Sequence, residues 1–334
     1  MVKYASYPPP QYSDNPFLAL LCKWLNFYGW ELCVFNFNII NLIKNAGKVQ
    51  VCYFHWPQVS WRKGGMLRSF IKCLYFRFNC IVAKTLGYKL VWSAHNALPH
   101  EYRSYNLEVW MRKFIVKHFE IIVGHSTNSY TELQKVVQTD FSDKYVLVEH
   151  GTYEDFYKSG HRYTKEKLNV PPTKKIVLLK CSKKDYQGSA DAIEFLINGQ
   201  LPEHLVFVLI GSISDEHKAR LHKIPQVIVI DGKLNDADFA NFFELADIVW
   251  MPYRRITTSG FYFMALTFKK PVLATNIDFF KLHSQQGMIY LYDNNNLQET
   301  INSLLLNYNT AFDFDKLLDR FSWKNNVRSL IERI

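Results

Sequence analysis

The residues best placed to do chemistry stand where apolar, β-rich runs end. Ser259-Gly260 follows one such run, 247–251, and opens an apolar helical pattern. A helix start offers N–H groups without intrahelical partners and the positive end of the dipole. Glycine lets a ligand approach the backbone closely, so the pair suits a diphosphate. Ser259 is also a good N-cap, and both roles use the same groups. Loop 180–188 (KCSKKDYQG) carries three lysines between a strand run and a helical one. Arg254 and Arg255, just after Tyr253, either add charge there or belong to a solvated loop. His95 ends the run KLVWSA, as a satisfied core histidine or as a site group, and His100-Glu101 follow on a turn after Pro99.

Other chemistries are disfavoured by what the chain lacks. There is no GxGxxG, no GxxxxGK[ST] and no Gly-x-Ser-x-Gly, which argues against a dinucleotide enzyme, a P-loop enzyme and a serine-elbow hydrolase. Two Asp-x-Asp triplets occur, at 236–238 and 313–315. The first opens the helical stretch DADFANFFELA, where acids complement the dipole, so no metal site is expected. The six cysteines form no CxxC pair and no zinc spacing, and read as free thiols in a reducing cytoplasm.

The elements that must position these residues alternate along the chain. Strand runs fall at 32–37, 50–54, 89–94, 120–124 and 145–149, then at 175–180, 205–210, 226–230, 247–251, 271–274 and 288–292. Helical patterns fit at 16–29, 66–86, 107–118, 128–137, 188–198, 236–245, 259–268, 296–307 and 323–333. Short apolar runs separated by helices mean βαβ units and parallel sheets covered on both faces. The 334 residues suffice for two domains. We expect domains at 1–150 and 151–334, a polar connection over about 151–174, and a last helix at 323–333 that packs back on the first domain. Ligands in such sheets bind at the carboxyl ends of strands.

Charge is uneven. Residues 1–150 hold 17 Lys+Arg against 9 Asp+Glu, a net of +8; the remainder holds 23 against 21, a net of +2. No acid occurs between Glu31 and Glu101, while nine Lys/Arg do. Such a field attracts polyanions such as lipid head groups or phosphorylated substrates. In the helical pattern 66–86, Leu67, Phe70, Ile71, Leu74, Phe78, Ile81 and Val82 share one face; Arg68, Lys72, Tyr75, Phe76 and Asn79 share the other. It reads as a core helix with a solvated basic back, or as a helix whose basic side meets an anionic membrane surface. No nucleic-acid recognition module is present, so nucleic acid is not an expected partner. No run of eighteen uncharged apolar residues exists, so no membrane-spanning helix is expected. Pro8, Pro9 and Pro10 stand where a signal peptide would need an apolar run, an expectation against export.

Taken in order, the motifs resemble those of bacterial GT-B glycosyltransferases of the exopolysaccharide, capsule and O-antigen type. The resemblance runs through Asn15-Pro16-Phe17, Phe54-His55-Trp56-Pro57, His95-Asn96 with Pro99-His100-Glu101, His125-Ser126 and His150-Gly151-Thr152-Tyr153. It continues through Lys184-Asp185-Tyr186-Gln187-Gly188, Met251-Pro252-Tyr253-Arg254, Thr258-Ser259-Gly260 with Ala265-Leu266, and Lys270-Pro271-Val272.

The resemblance implies an α/β fold of two doubly wound Rossmann-like domains facing a central cleft. It implies hexose transfer from a UDP- or GDP-sugar to a polyprenyl-diphosphate-linked saccharide, without metal or other cofactor, by a cytoplasmic protein peripheral on the inner face of the plasma membrane. It implies a donor site of Lys184, Tyr253, Arg254, Ser259 and Gly260. Asn15, His55, Asn96 and His100 lie on the acceptor side, and His95 near the transferred sugar. Asp14 and Glu101 are further catalytic candidates, and the choice of general base stays open. Two departures stand out. Gln187 replaces the family's loop lysine, and the two donor-site glutamates of many retaining members are Ile256 and Met264 here. The missing glutamates motivate an alternative, a non-catalytic GT-B-like protein that binds a saccharide or a partner. A nucleotide-sugar epimerase of the same architecture is a third reading.

Overall fold

The structure, a computed structural model, describes every residue except 13–15, 63, 100, 101, 103, 155, 285–287, 294 and 304–312. The chain forms two compact units, Met1–Gly151 with Phe321–Ile334, and Thr152–Arg320.

Unit 1 runs β1 (Val2–Tyr7), α1 (Pro16–Phe27), β2 (Trp30–Cys33), α2 (Ile39–Asn45), β3 (Val51–Phe54), α3 (Val59–Arg62), α4 (Met66–Thr85), β4 (Lys89–Ser93), α5 (Tyr105–His118), β5 (Ile121–Gly124), α6 (Ser129–Val137) and β6 (Tyr145–Leu147). Its six strands are all parallel, in the order β2-β1-β3-β4-β5-β6. β3 and β5 are buried at every residue, as strands covered on both faces should be. The order reverses between β1 and β3. β1 is absent from the strand runs of the sequence because Lys3 and Ser6 interrupt its apolar character and three prolines follow.

The amphipathic pattern of α4 is real, but its orientation is the opposite of a core helix. Leu67, Phe70, Ile71, Leu74, Phe78 and Ile81 are exposed, and Val82 is half-buried. Ser69, Cys73, Phe76, Asn79, Cys80 and Ala83 are the buried residues, so Phe76 and Asn79 point inward rather than outward. The reason is packing. Phe54, Trp61, Trp92 and Phe119 already fill the layer over the sheet, and mostly small side chains let the helix close on them.

Unit 2 runs β7 (Lys175–Cys181), α7 (Ser189–Asn198), β8 (Leu205–Gly211), α8 (Asp215–Leu221), β9 (Val227–Asp231), α9 (Asp236–Leu245), β10 (Ile248–Met251), α10 (Gly260–Thr267), β11 (Val272–Thr275), α11 (Asp278–Ser284), β12 (Ile289–Tyr292), α12 (Leu297–Ser303) and α13 (Phe314–Arg320). Its strands are also all parallel, in the order β12-β11-β10-β7-β8-β9. That is the doubly wound Rossmann order, reversing between β7 and β10. The stretch after Gly151 lies on this unit: Tyr153 N–H donates to Thr267 Oγ1 (2.8 Å), Gly160 N–H to the Ala237 carbonyl (3.2 Å) and Tyr163 N–H to Asn241 Oδ1 (2.7 Å). α14 (Trp323–Ile331) returns to unit 1, where it packs on α1 and β6. Ser329 Oγ donates to the Leu147 carbonyl (2.9 Å) and Tyr28 to that of Lys324 (2.9 Å).

Candidate functional site

In unit 2 the candidate site forms where the strand order reverses. Gly188, at φ +64°, caps α7, and a Cβ there would stand 1.7 Å from the Pro252 carbonyl oxygen. The loop after β7 and the loop after β10 are therefore in backbone contact, as only glycine permits. Arg254 N–H donates to the Tyr186 carbonyl (2.9 Å).

Ser259 is buried and caps α10, its Oγ accepting from Tyr262 N–H (3.3 Å). Gly260 is the first residue of that helix, whose Phe261–Leu266 stretch is entirely buried. Tyr253 is buried beside Ser259; burial pushes its phenol up to about 12, and its carbonyl accepts from Thr275 Oγ1. Two buried oxygens here, Gln187 Oε1 and Thr258 Oγ1, have no hydrogen-bond partner among the described residues.

The cations divide into three kinds. Arg254 forks onto Asp191 (2.9 and 2.8 Å) and also bonds Asp185, so its charge braces the 185–191 segment. Lys184 is exposed, its ammonium 6.0 Å from the Tyr186 ring centroid. Lys180, near the end of β7, is half-buried with its ammonium 5.6 Å from the centroids of both Phe239 and Phe261. Burial, then Lys184, lowers its pKa. A lysine held by two rings beside the first turn of α10 is better prepared for an anion than the exposed one. Spacing alone selects Lys184; the long-range contacts to α9 and α10 pick out Lys180.

In unit 1 the carboxyl ends of four parallel strands each supply a histidine. His55 follows β3, His95 follows β4, His125 follows β5, and His150 stands three residues beyond β6. They surround Phe17 of α1, whose ring centroid lies 6.1, 4.8, 5.1 and 5.2 Å from theirs. His95 stacks on Trp56 (4.5 Å) and on His125 (4.6 Å). Burial pushes His55 and His150 down to about 3 and His125 to about 4. His95 is pushed well down, by burial first and then by the other three. All four are therefore neutral at pH 7. His125 Nδ1 donates to the Val148 carbonyl (2.8 Å), which leaves Nε2 as a bare acceptor. Both ring nitrogens of His55, and Nε2 of His95 and His125, are buried without a partner among the described residues.

A buried ion pair steadies the loop after β4. Arg112 Nε donates to the Ala97 carbonyl (3.1 Å), its guanidinium lies 5.0 Å from the Trp92 centroid, and Glu108 faces it at 3.7 Å. Trp61 Nε1 donates to Glu108 (3.0 Å). In sequence this pair is an ordinary i,i+4 surface pair. Asn96, next to His95, is half-buried. Asp14, Asn15, His100 and Glu101 lie outside the described residues. Among the described residues no group of three or more His, Cys, Asp or Glu could hold a metal ion. Asp238 is instead bonded within the cap of α9 and to Arg162, and Asp315 pairs with Lys269.

No protein-family model matches the chain, and no curated protein matches it significantly. Solved structures do. HepE from Anabaena in complex with UDP is 13% identical with a TM-score of 0.69, over 99% of this chain and 98% of that one. Sucrose-phosphate synthase from Thermosynechococcus elongatus is 11% identical with a TM-score of 0.72, over 99% and 98%. WaaG, a glycosyltransferase involved in lipopolysaccharide biosynthesis, is 14% identical with a TM-score of 0.55, over 99% and 95%. At these identities the likeness establishes the fold, two parallel six-stranded sheets with flanking helices as in GT-B glycosyltransferase structures.

Proposed function

We propose that the chain transfers a hexose from a UDP- or GDP-sugar to a saccharide hydroxyl on a polyprenyl-diphosphate carrier, in bacterial surface polysaccharide assembly at the anionic inner face of the plasma membrane. The observation that carries the reading is the Ser259-capped start of α10 at the strand-order reversal of unit 2. HepE, whose structures hold UDP and UDP-glucose, supports the donor class.

In this reading unit 2 holds the donor. The first N–H groups of α10, with Lys180 and Lys184, meet the diphosphate, and Tyr253 shapes its floor. Arg254 acts through Asp185 and Asp191 by holding the loop. Unit 1 takes the acceptor through His55 and Asn96, with Asn15 and His100. The bond from the anomeric carbon to the phosphate oxygen breaks, and its electron pair leaves with the nucleoside diphosphate. The acceptor oxygen forms the new bond and gives its proton to a base. His95 keeps a ring lone pair at pH 7, but the burial that holds it neutral also weakens it as a base, and Asp14 and Glu101 remain the alternatives. Ile256 and Met264 supply no carboxylate to the sugar.

A second reading, a non-catalytic saccharide- or partner-binding protein, has two observations in its favour: Ile256 and Met264 in place of the donor-site glutamates, and the full engagement of Arg254 by two carboxylates. Calorimetric titration with UDP and GDP, followed by incubation with nucleotide sugars and a membrane extract, separates the two. We expect saturable binding of one diphosphate and acceptor-dependent release of it from its sugar. Binding without release favours the second reading, and no binding by either nucleotide removes the donor site.

A further inference from the structure

The outer face of α4 carries a row of exposed apolar side chains. Leu67, Phe70, Ile71, Leu74, Phe78 and Ile81 are each between 43% and 74% exposed. They recur at helical spacing, so they form one stripe about 20 Å long at 1.5 Å per residue. Beside it, α2 packs on α4 and leaves Ile40 and Ile43 exposed while Leu42 enters the core. Scattered apolar residues on a surface need no explanation, but a continuous stripe of this size marks an interaction site.

The flanks say what covers it. On the helical wheel Arg68 and Lys72 border one side of the stripe, and Arg77 and Lys84 border the other. Arg77 lies 4.0 Å from the Trp110 ring centroid, and Trp110 stacks on Phe70 (5.8 Å), so a tryptophan and an arginine stand together at the margin. Lys44 and Lys48 are exposed on and after α2. The chain has no acid from residue 32 to residue 100; at the margin Glu120 pairs with Lys84 (2.5 Å), which leaves Arg68, Lys72 and Arg77 as the cations that carry the positive margin. An apolar stripe, basic margins and a bordering tryptophan match the layers of a bilayer interface: acyl chains, phosphates and the head-group boundary. None of the helices, searched over the described residues, is long and apolar enough to cross a membrane.

We propose that α4 lies flat in the interface of an anionic bilayer with the Leu67–Ile81 stripe sunk among the acyl chains, so that unit 1 inserts rather than merely adsorbs. This deepens the membrane partner of the proposed function, and it does not depend on the donor site. The contact replaces a basic side resting on lipid phosphates with an apolar face dissolved in lipid, its cations serving the margins.

The test uses the full chain and vesicles of phosphatidylglycerol and phosphatidylethanolamine, with pure phosphatidylcholine as control, in co-sedimentation at 0.1 and 0.5 M salt. Wild type should bind the anionic vesicles and keep a substantial bound fraction at high salt, because apolar burial is not screened. The triple variant Leu67→Ser, Ile71→Ser, Phe78→Ser should weaken partition by roughly 100-fold. The pair Arg68→Gln, Lys72→Gln should weaken it only by roughly 5-fold per charge, and mainly at low salt. Melting without vesicles should show the triple variant at least as stable as wild type, since exposed apolar groups are removed. The salt titration of wild type needs no variant, so a folding failure leaves the proposal decidable. Loss of all wild-type binding at 0.5 M salt overturns insertion in favour of adsorption. A wild-type dimer in sedimentation velocity that the triple variant dissolves assigns the face to a second copy instead. Nucleotide titration of the same samples keeps failure here apart from failure of the donor reading.

Discussion

The two units place opposite chemistries at corresponding points of their sheets. Each strand order reverses once, between β1 and β3 in unit 1 and between β7 and β10 in unit 2. At the first reversal Phe17 is ringed by four neutral histidines, with Trp323 5.1 Å away. At the second the loops are drawn together by Gly188, and a capped helix start and a ring-held lysine converge. One arrangement presents uncharged donors and acceptors among aromatic faces, which suits hydroxyls and apolar ring surfaces of a saccharide. The other presents positive potential, which suits phosphate. A shared topology thus decides where a ligand can bind, while the residues ending the strands decide what kind.

The histidine side of the contrast breaks most visibly under acid. Each of the four has a folded pKa far below the ordinary value near 6.5, so the unfolded chain binds protons that the folded unit refuses. Stability is full above about pH 6.5 and falls as pH drops from there towards the folded values, about 3 for His55 and His150 and about 4 for His125. His125 alone accounts for up to about 3 kcal/mol over that window. Together the four should cost unit 1 several kcal/mol by about pH 5. In unit 2, burial pushes His283 down to about 4. Hydrogen exchange between pH 7.5 and 5 should show unit 1 peptides losing protection first, and His55→Phe should flatten the dependence by about one proton. Earlier loss in unit 2 would mean that the cluster is hydrated and titrates normally.

The phosphate side breaks at Gly188. Alanine there meets both a left-handed φ and the Pro252 carbonyl, so the two loops must separate. Gly188→Ala should lower stability by roughly 2–4 kcal/mol in urea unfolding and abolish nucleotide binding. Gly87→Ala, also left-handed (φ +85°) but with nothing within 4 Å, should cost only about 1 kcal/mol and leave binding intact. Equal effects at both glycines would separate the close approach from the site.

These contrasts were unevenly legible in the sequence. The strands after β2 stood out as four- to six-residue apolar runs, and Ser259 stood out as a cap because a helical pattern begins directly after it. β1 did not, because its alternation is broken and only its central place between β2 and β3 protects it. For α4, periodicity showed that an apolar face exists but could not say which side meets the sheet. That depends on the bulk of Trp61, Trp92 and Phe119, which lie elsewhere in the chain. The histidine cluster had a readable signal: residues 55, 95, 125 and 150 each follow an apolar run, one per βα unit, and consecutive parallel strands bring such positions together. Read singly, His95 looked like a core histidine or a site group, His55 like an acceptor-side residue, and His125 and His150 like motif members only. Arg254 read as free charge because Asp185 and Asp191 are some sixty residues away in sequence.

The finest test of the contrast is between two lysines of one loop. Lys184 matches the motif by spacing but is exposed, so its ammonium is well hydrated and must be ordered before it can help a ligand. Lys180 is already desolvated, with its depressed pKa marking the cost, and its rings hold it beside the start of α10. A diphosphate arriving there would return to it the partner that burial removed, a charge-assisted contact of about 1.5–3 kcal/mol. Lys180→Met, which keeps the stem between Phe239 and Phe261, should therefore weaken diphosphate binding by roughly 10- to 150-fold. Lys184→Ala should weaken it by less than about 5-fold. The reverse ranking in calorimetry would return the site to the exposed loop and leave Lys180 as packing between two aromatic rings.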